Sequence, residues 1–126
     1  MIVLTTDEVI AMHDKLIMAT GGSPGIRDMG LLESAVFGSN QTFGGEEIYP
    51  TVVDKAARMA YSICKNHPFV DVNKRVAVTA LLVILRMSNI SIKFTQQELI
   101  TLGLGVADGS IDYENIVAWV HTHIVK

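Results

Sequence analysis

Nine consecutive residues, His67-Pro68-Phe69-Val70-Asp71-Val72-Asn73-Lys74-Arg75, bring an imidazole, a carboxylate, an amide and two cations to the edge of the longest apolar stretch in the chain. An imidazole with an ordinary pKa of ~6.5 can take a proton from an attacking hydroxyl at neutral pH. A carboxylate such as Asp71 can hold magnesium, which takes one or two carboxylates and completes its shell with phosphate oxygens and water. Lys74 and Arg75 belong to the first turn of the helix that must follow, where the helix dipole disfavours positive charge. A bound polyanion removes that conflict, because a helix start offers unpaired N–H groups and a positive dipole end. General base, metal carboxylate and anion site therefore converge on one loop. Singly, each residue also has an ordinary role: His67 solvated or capping, Asp71 an N-cap, the cation pair a surface face. The combination is what points to phosphate chemistry.

Positioning these groups requires a break between two helices. Pro68 disfavours helix in the residue before it, so His67 ends one helix and Asn73 or its neighbours begin the next. The run Val76 to Leu85 is apolar nearly all round, which predicts a central helix with neighbours on most sides. Phe69 and Val72 should anchor the loop in the core.

The remaining elements read as helices too. Thr5 and Glu8 form a capping box ahead of Val9, Met12, His13, Leu16 and Ile17 at helical spacing, ended by Gly21-Gly22. His13 on that stripe should pack at the core margin with a hydrogen-bond partner. The glycine-rich stretch Gly21 to Gly30 is a structured turn, in which Arg27-Asp28 brace the loop without a catalytic part. Asp28 caps a second helix closed by Gly38. Residues 38–50 suit an exposed loop or a small hairpin flap, and Pro50 suits the first turn of a third helix. Ile90, Ile92 and Phe94 alternate as an edge strand or an extended connector. Thr95 and Glu98 open a helix that Gly103 and Gly105 weaken, and Ser110 or Asp112 caps the last one. The expected architecture is all-α, one domain over residues 1–126, with about six helices around the central one.

Composition sets the outer bounds. The chain has 126 residues, of which 49% are hydrophobic and 18% charged, which supports one folded core and argues against disorder. A net charge of −3 gives no general attraction to nucleic-acid backbones, so direct DNA binding is not expected. The single cysteine, Cys64, allows no internal disulfide or cysteine-rich metal site and suits a buried position on a helix in a reducing compartment. The N-terminal residues lack a charged region followed by an apolar one, and no apolar run is long enough to span a bilayer. A cytoplasmic location is expected.

The motif resembles the signature of the Fic/Doc superfamily, which reads His-Pro-Phe, two residues, Gly-Asn-Gly-Arg, two residues, Arg. It departs toward the Doc toxin branch: Asp71 is the acid, Val72 and Lys74 replace the two glycines, and the second arginine position is Val78. The flanks "EVIAMHDKLI", "GGSPGIRDMGLLESAV", "LLVILRMSNI" and "LGLGVADGSI" are similar to the Doc halves on either side, so the resemblance covers nearly the whole chain.

This resemblance implies a helical fold built around the helix that follows the motif. It implies a toxin using ATP and Mg2+ to phosphorylate a threonine or serine of a translation factor, elongation factor Tu in Doc, and held silent by a Phd-like antitoxin whose tail lies as a helix along an apolar groove. In that scheme His67 is the base, Asp71 holds the metal, and Val72, Asn73, Lys74 and Arg75 bind nucleotide phosphate. Lys74 and Arg75 also neutralise charge on the transferred and leaving groups. Fic-type AMP transfer, and an inert module that only binds nucleotide or antitoxin, are the alternatives. Residues 40–47 lie where Fic enzymes place a target-docking flap. Residues 110–115 fit the Fic inhibitory pattern through Glu114, but the arginine that such a glutamate engages is absent. His121 and His123 fall on different helix faces, which argues against a metal pair.

Overall fold

The computed structural model describes residues 3–125. Among these, the order is α1 (Thr6–Thr20), α2 (Met29–Ser39), β1 (Thr42–Phe43), β2 (Glu46–Glu47), α3 (Val52–Asn66), α4 (Asn73–Met87), α5 (Gln96–Asp108) and α6 (Tyr113–His123). The expected all-α fold is present.

Five of these helix starts are closed by their own sequence. Thr5 accepts the Glu8 N–H at 3.2 Å while the Glu8 carboxylate accepts the Thr5 N–H at 2.9 Å, and Thr95 with Glu98 repeats the box on α5. Asp28, Thr51 and Asp112 cap α2, α3 and α6. Each such cap contributes about 1 kcal/mol. Only α4, among the described helices, has no side-chain cap.

Two boundaries differ from expectation. Pro50 lies outside α3, because Thr51 takes the N-cap and the helix starts at Val52. α2 passes through Gly38 to Ser39, since the Ser39 hydroxyl and the Asn40 amide both donate to the Val36 carbonyl and satisfy the last turn. Of the two alternatives for residues 90–94, the structure has the extended connector, with one bridge, Ile92 to Ile124.

α4 is the hub. Its buried residues Val76, Ala77, Ala80, Leu81, Ile84 and Leu85 pack among α3, α1 and α5, with α3 the largest neighbour. The packing is not complete on all sides, because Val78 and Leu82 are only half-buried and face a groove. α5 carries its glycines for contact rather than flexibility. A Cβ on Gly105 would stand 2.4 Å from Ile111 Cδ1, where the chain folds back after the helix.

The segment after α2 is a true hairpin. Thr42 pairs with Glu47 and Phe43 with Glu46 around Gly44-Gly45, both left-handed at φ 61° and 85°, as a two-residue hairpin turn with the strand twist demands. Its base is fixed by Lys55, which is fully buried on α3. The Lys55 ammonium lies 3.0 Å from Glu47 Oε1 and 3.3 Å from the Ser39 carbonyl, partners that a buried cation requires. Among the described residues no helix is long and apolar enough to cross a membrane.

Candidate active site

The motif occupies the short crossing between α3 and α4. Two non-glycine residues in the left-handed region bracket it: His67, the C-cap of α3, at φ 48°, and Val72, the N-cap of α4, at φ 60°. For a β-branched residue such as Val72 that conformation is strained. Such strain persists only where the surroundings fix the backbone.

Those surroundings are the glycine-rich segment between α1 and α2. Arg27 and Asp28 N–H groups both donate to the Pro68 carbonyl, at 2.7 and 3.0 Å. Ile26 bridges Phe69, and the Val70 N–H donates to Gly25 O at 3.1 Å. The Arg27 guanidinium reaches over the end of α3 and donates to His67 O at 2.6 Å and Asn66 O at 2.7 Å, the last carbonyls of a helix whose dipole end favours a cation. Arg27 is thus the expected brace. It fixes the backbone of His67 and leaves the imidazole exposed, with no hydrogen bond to it among the described residues.

Asp71 is half-buried, and its carboxylate is oriented by backbone donors. Oδ2 accepts the Ser23 N–H at 3.0 Å and Oδ1 accepts the Val72 N–H at 2.9 Å. The Ser23 bond first, then the Val72 bond, hold its pKa below the usual carboxylate value, with Arg75 adding to the effect. Asp71 is therefore ionised at neutral pH, and each oxygen keeps a free lone pair. That donor set suits a hard cation completed by phosphate and water. No cluster of three or more metal-binding side chains exists among the described residues, so the carboxylate would hold such an ion without a protein cage.

Two expected ligands have other tasks. Asn73 is buried, and its side-chain amide is turned to Phe69: Oδ1 accepts the Phe69 N–H and Nδ2 donates to the Phe69 carbonyl, both at 3.0 Å. It braces the loop backbone. Val72 gives its N–H to Asp71 and buries its side chain, so it offers no donor to phosphate. Phe69 and Val72 do anchor the loop, as expected.

Lys74 and Arg75 stand exposed on the first turn of α4. Arg75 donates to the Thr20 hydroxyl at the end of α1, which in turn donates to Leu16 O. Both cations line one end of a groove of about 380 Å³ with Leu16, Val78, Leu82 and Gly103. A second recess of about 540 Å³, which shares Leu16 and Thr79 with it, lies farther along α4 and reaches Met87.

Other candidates fall outside this site. Asp112 caps α6, Ser110 donates to Gly105 O, and Glu114 is exposed, so residues 110–112 form a turn and 113–115 the first turn of α6. His123 stacks on Trp119 and pairs with Glu98 at 2.7 Å. Sequence reasoning assigned Ser23 no part. A backbone donor four dozen residues away leaves no side-chain signal.

The sequence pattern of the Fic/DOC family matches residues 3–85. The chain is 32% identical over 113 residues to the protein named protein kinase doc of Escherichia phage P1, covering 90% of this chain and 88% of that one. It is 39% identical over 75 residues to toxin Doc of Mycolicibacterium smegmatis, covering 60% of this chain and 58% of the other.

Proposed function

The chain belongs to the Fic/Doc family, on its Doc branch, and from that premise we propose that it is a Doc-type toxin. We infer that it transfers the γ-phosphate of ATP to a serine or threonine hydroxyl of a translation factor, with elongation factor Tu as the target. The observation that carries this function is the start of α4. It alone among the described helices lacks a side-chain cap, and it is flanked by an ionised carboxylate and two exposed cations. A helix end left open in this way is completed by a phosphate.

In the reaction the target hydroxyl oxygen attacks the γ-phosphorus, and its proton passes to a ring nitrogen of His67. The bond from that phosphorus to the bridging oxygen breaks, and ADP leaves with the electron pair. Lys74 and Arg75 neutralise charge on the transferred and departing groups. Asp71 would hold Mg2+, which supplies charge neutralisation on the phosphate oxygens when bound. Because the loop is clamped by residues 23–28, the exposed His67 ring and the Asp71 carboxylate start from a fixed backbone, and positioning supplies most of the rate in such a transfer.

Phosphoryl rather than AMP transfer is favoured by Val78. Where Fic enzymes place a second phosphate-binding arginine, this chain has an apolar side chain lining the groove. The groove itself suits the helical tail of a Phd-like antitoxin. α4 spans about 20 Å, room for several turns of a partner helix ending over Lys74 and Arg75.

Cell-free translation tests this function. The purified chain with ATP and Mg2+ should stop synthesis, and His67→Ala should not. Arrest by His67→Ala as complete as by the unaltered chain would reject catalysis and leave a binding module.

A further inference from the structure

α1 reaches the carboxylate site at two points. Its C-terminal extension supplies the Ser23 N–H to the Asp71 carboxylate. Its middle supplies His13, which lies directly under the loop. The His13 ring is 1% exposed and stacks face to face on Phe69, with centroids 4.0 Å apart and planes 7° from parallel. Its Nε2 lies 3.3 Å from the Asp71 carbonyl oxygen. A carbonyl only accepts, so Nε2 is the donor. Nδ1 faces solvent-side Asp14, whose Oδ1 is 3.4 Å away and whose side chain is 64% exposed.

Resting on the phosphoryl-transfer function above, we propose that His13 is a positioning residue for Asp71: its Nε2–H fixes the Asp71 peptide so that the carboxylate meets the metal–phosphate complex. The burial of an imidazole in an apolar stripe has a cost unless its hydrogen bond is used, and the bond goes to the one residue of the loop suited to a metal. The division of labour is complete. Ser23 and Val72 N–H groups orient the Asp71 side chain, His13 holds the Asp71 carbonyl, and Asn73 holds Phe69 from the opposite side. His13 touches no reacting atom, so it acts only through Asp71.

Two substitutions separate the parts of this contact. His13→Phe keeps a ring against Phe69 and loses the donor. His13→Gln loses the ring and keeps an amide N–H able to reach the Nε2 position. Calorimetry of ATP binding with and without Mg2+, on the full chain, reads the effect apart from catalysis. His13→Phe should weaken Mg2+-dependent ATP binding about tenfold, a usual loss for an outer partner of a metal ligand, and leave Mg2+-free binding unchanged. kcat should fall with it while the KM for the target protein holds, and His13→Gln should recover most of both. Equal binding by His13→Phe and the unaltered chain, or no recovery by His13→Gln, overturns the proposal. If the unaltered chain transfers no phosphoryl group, the function fails while the binding arm still judges His13. Should His13→Phe not fold, the unaltered protein decides: 15N spectra must show the hydrogen on Nε2 of His13, and a deprotonated Nε2 contradicts the contact.

Discussion

Asn73 closes a two-bond ring with the backbone of Phe69, accepting from its N–H and donating to its carbonyl at 3.0 Å each. The first residue of α4 thereby holds the middle of the loop that carries His67 and Asp71. Asn73→Ala leaves two buried backbone groups unpaired, at roughly 2–4 kcal/mol in all. A loss of that size in unfolding free energy is expected, read as a lower urea midpoint at unchanged slope. Asn73→Asp should not restore it, since a second carboxylate oxygen would face the Phe69 carbonyl. A midpoint for Asn73→Ala equal to that of the unaltered chain would show that the ring is not formed.

Val72 offers a test of backbone strain. Relief of a left-handed valine by glycine is worth ~1–2 kcal/mol. Loss of the buried side chain costs ~1.5–3 kcal/mol. Val72→Gly should therefore be mildly destabilising. Val72→Ala loses most of the same packing without the relief and should be worse, by about 1 kcal/mol. Urea unfolding of the pair checks this order, which is the reverse of the usual order inside a helix.

The Glu98–His123 pair predicts how stability depends on pH. The hydrogen bond from His123 first, then the bonds from Thr95, hold Glu98 down at about 2. The same carboxylate first, then the Trp119 carbonyl, raise His123 above its ordinary value of 6.5. The His123 contribution is fully present below that ordinary value and is lost as pH rises through the raised one. The Glu98 contribution is present above 4.5 and is lost as pH falls toward about 2. Glu98→Gln keeps a side chain able to close the capping box and removes only the ion pair. The Tm difference between the two proteins should be widest between 4.5 and 6.5 and should shrink at alkaline pH. The Glu98 side chain is 46% exposed, so the difference is modest and salt-sensitive.

Much of this fold was legible because its signals are local. The boxes at Thr5–Glu8 and Thr95–Glu98, the cap at Asp28 and the apolar run after Arg75 all act within four residues of themselves. The Pro68 break put His67 and Asn73 at facing helix ends before any coordinates were needed. What stayed hidden depends on long-range approach. Asn73 turns inward to Phe69 beside a left-handed Val72, a conformation that a valine gives no hint of. Lys55 is buried on α3 only because Glu47 of β2 and Ser39 at the end of α2 reach it, partners that no local pattern announces. His13 was visible as a histidine on an apolar stripe, but its partner lies 58 residues away.

The proposed transfer has a hydroxyl react at the γ-phosphorus between His67 and the start of α4. Incubating the purified chain and elongation factor Tu with ATP labelled at either the γ- or the α-phosphorus tests it most directly. The expected result is γ-label on the target, lost in His67→Ala and in Asp71→Asn. Transfer of α-label, or γ-label that persists in His67→Ala, would contradict it.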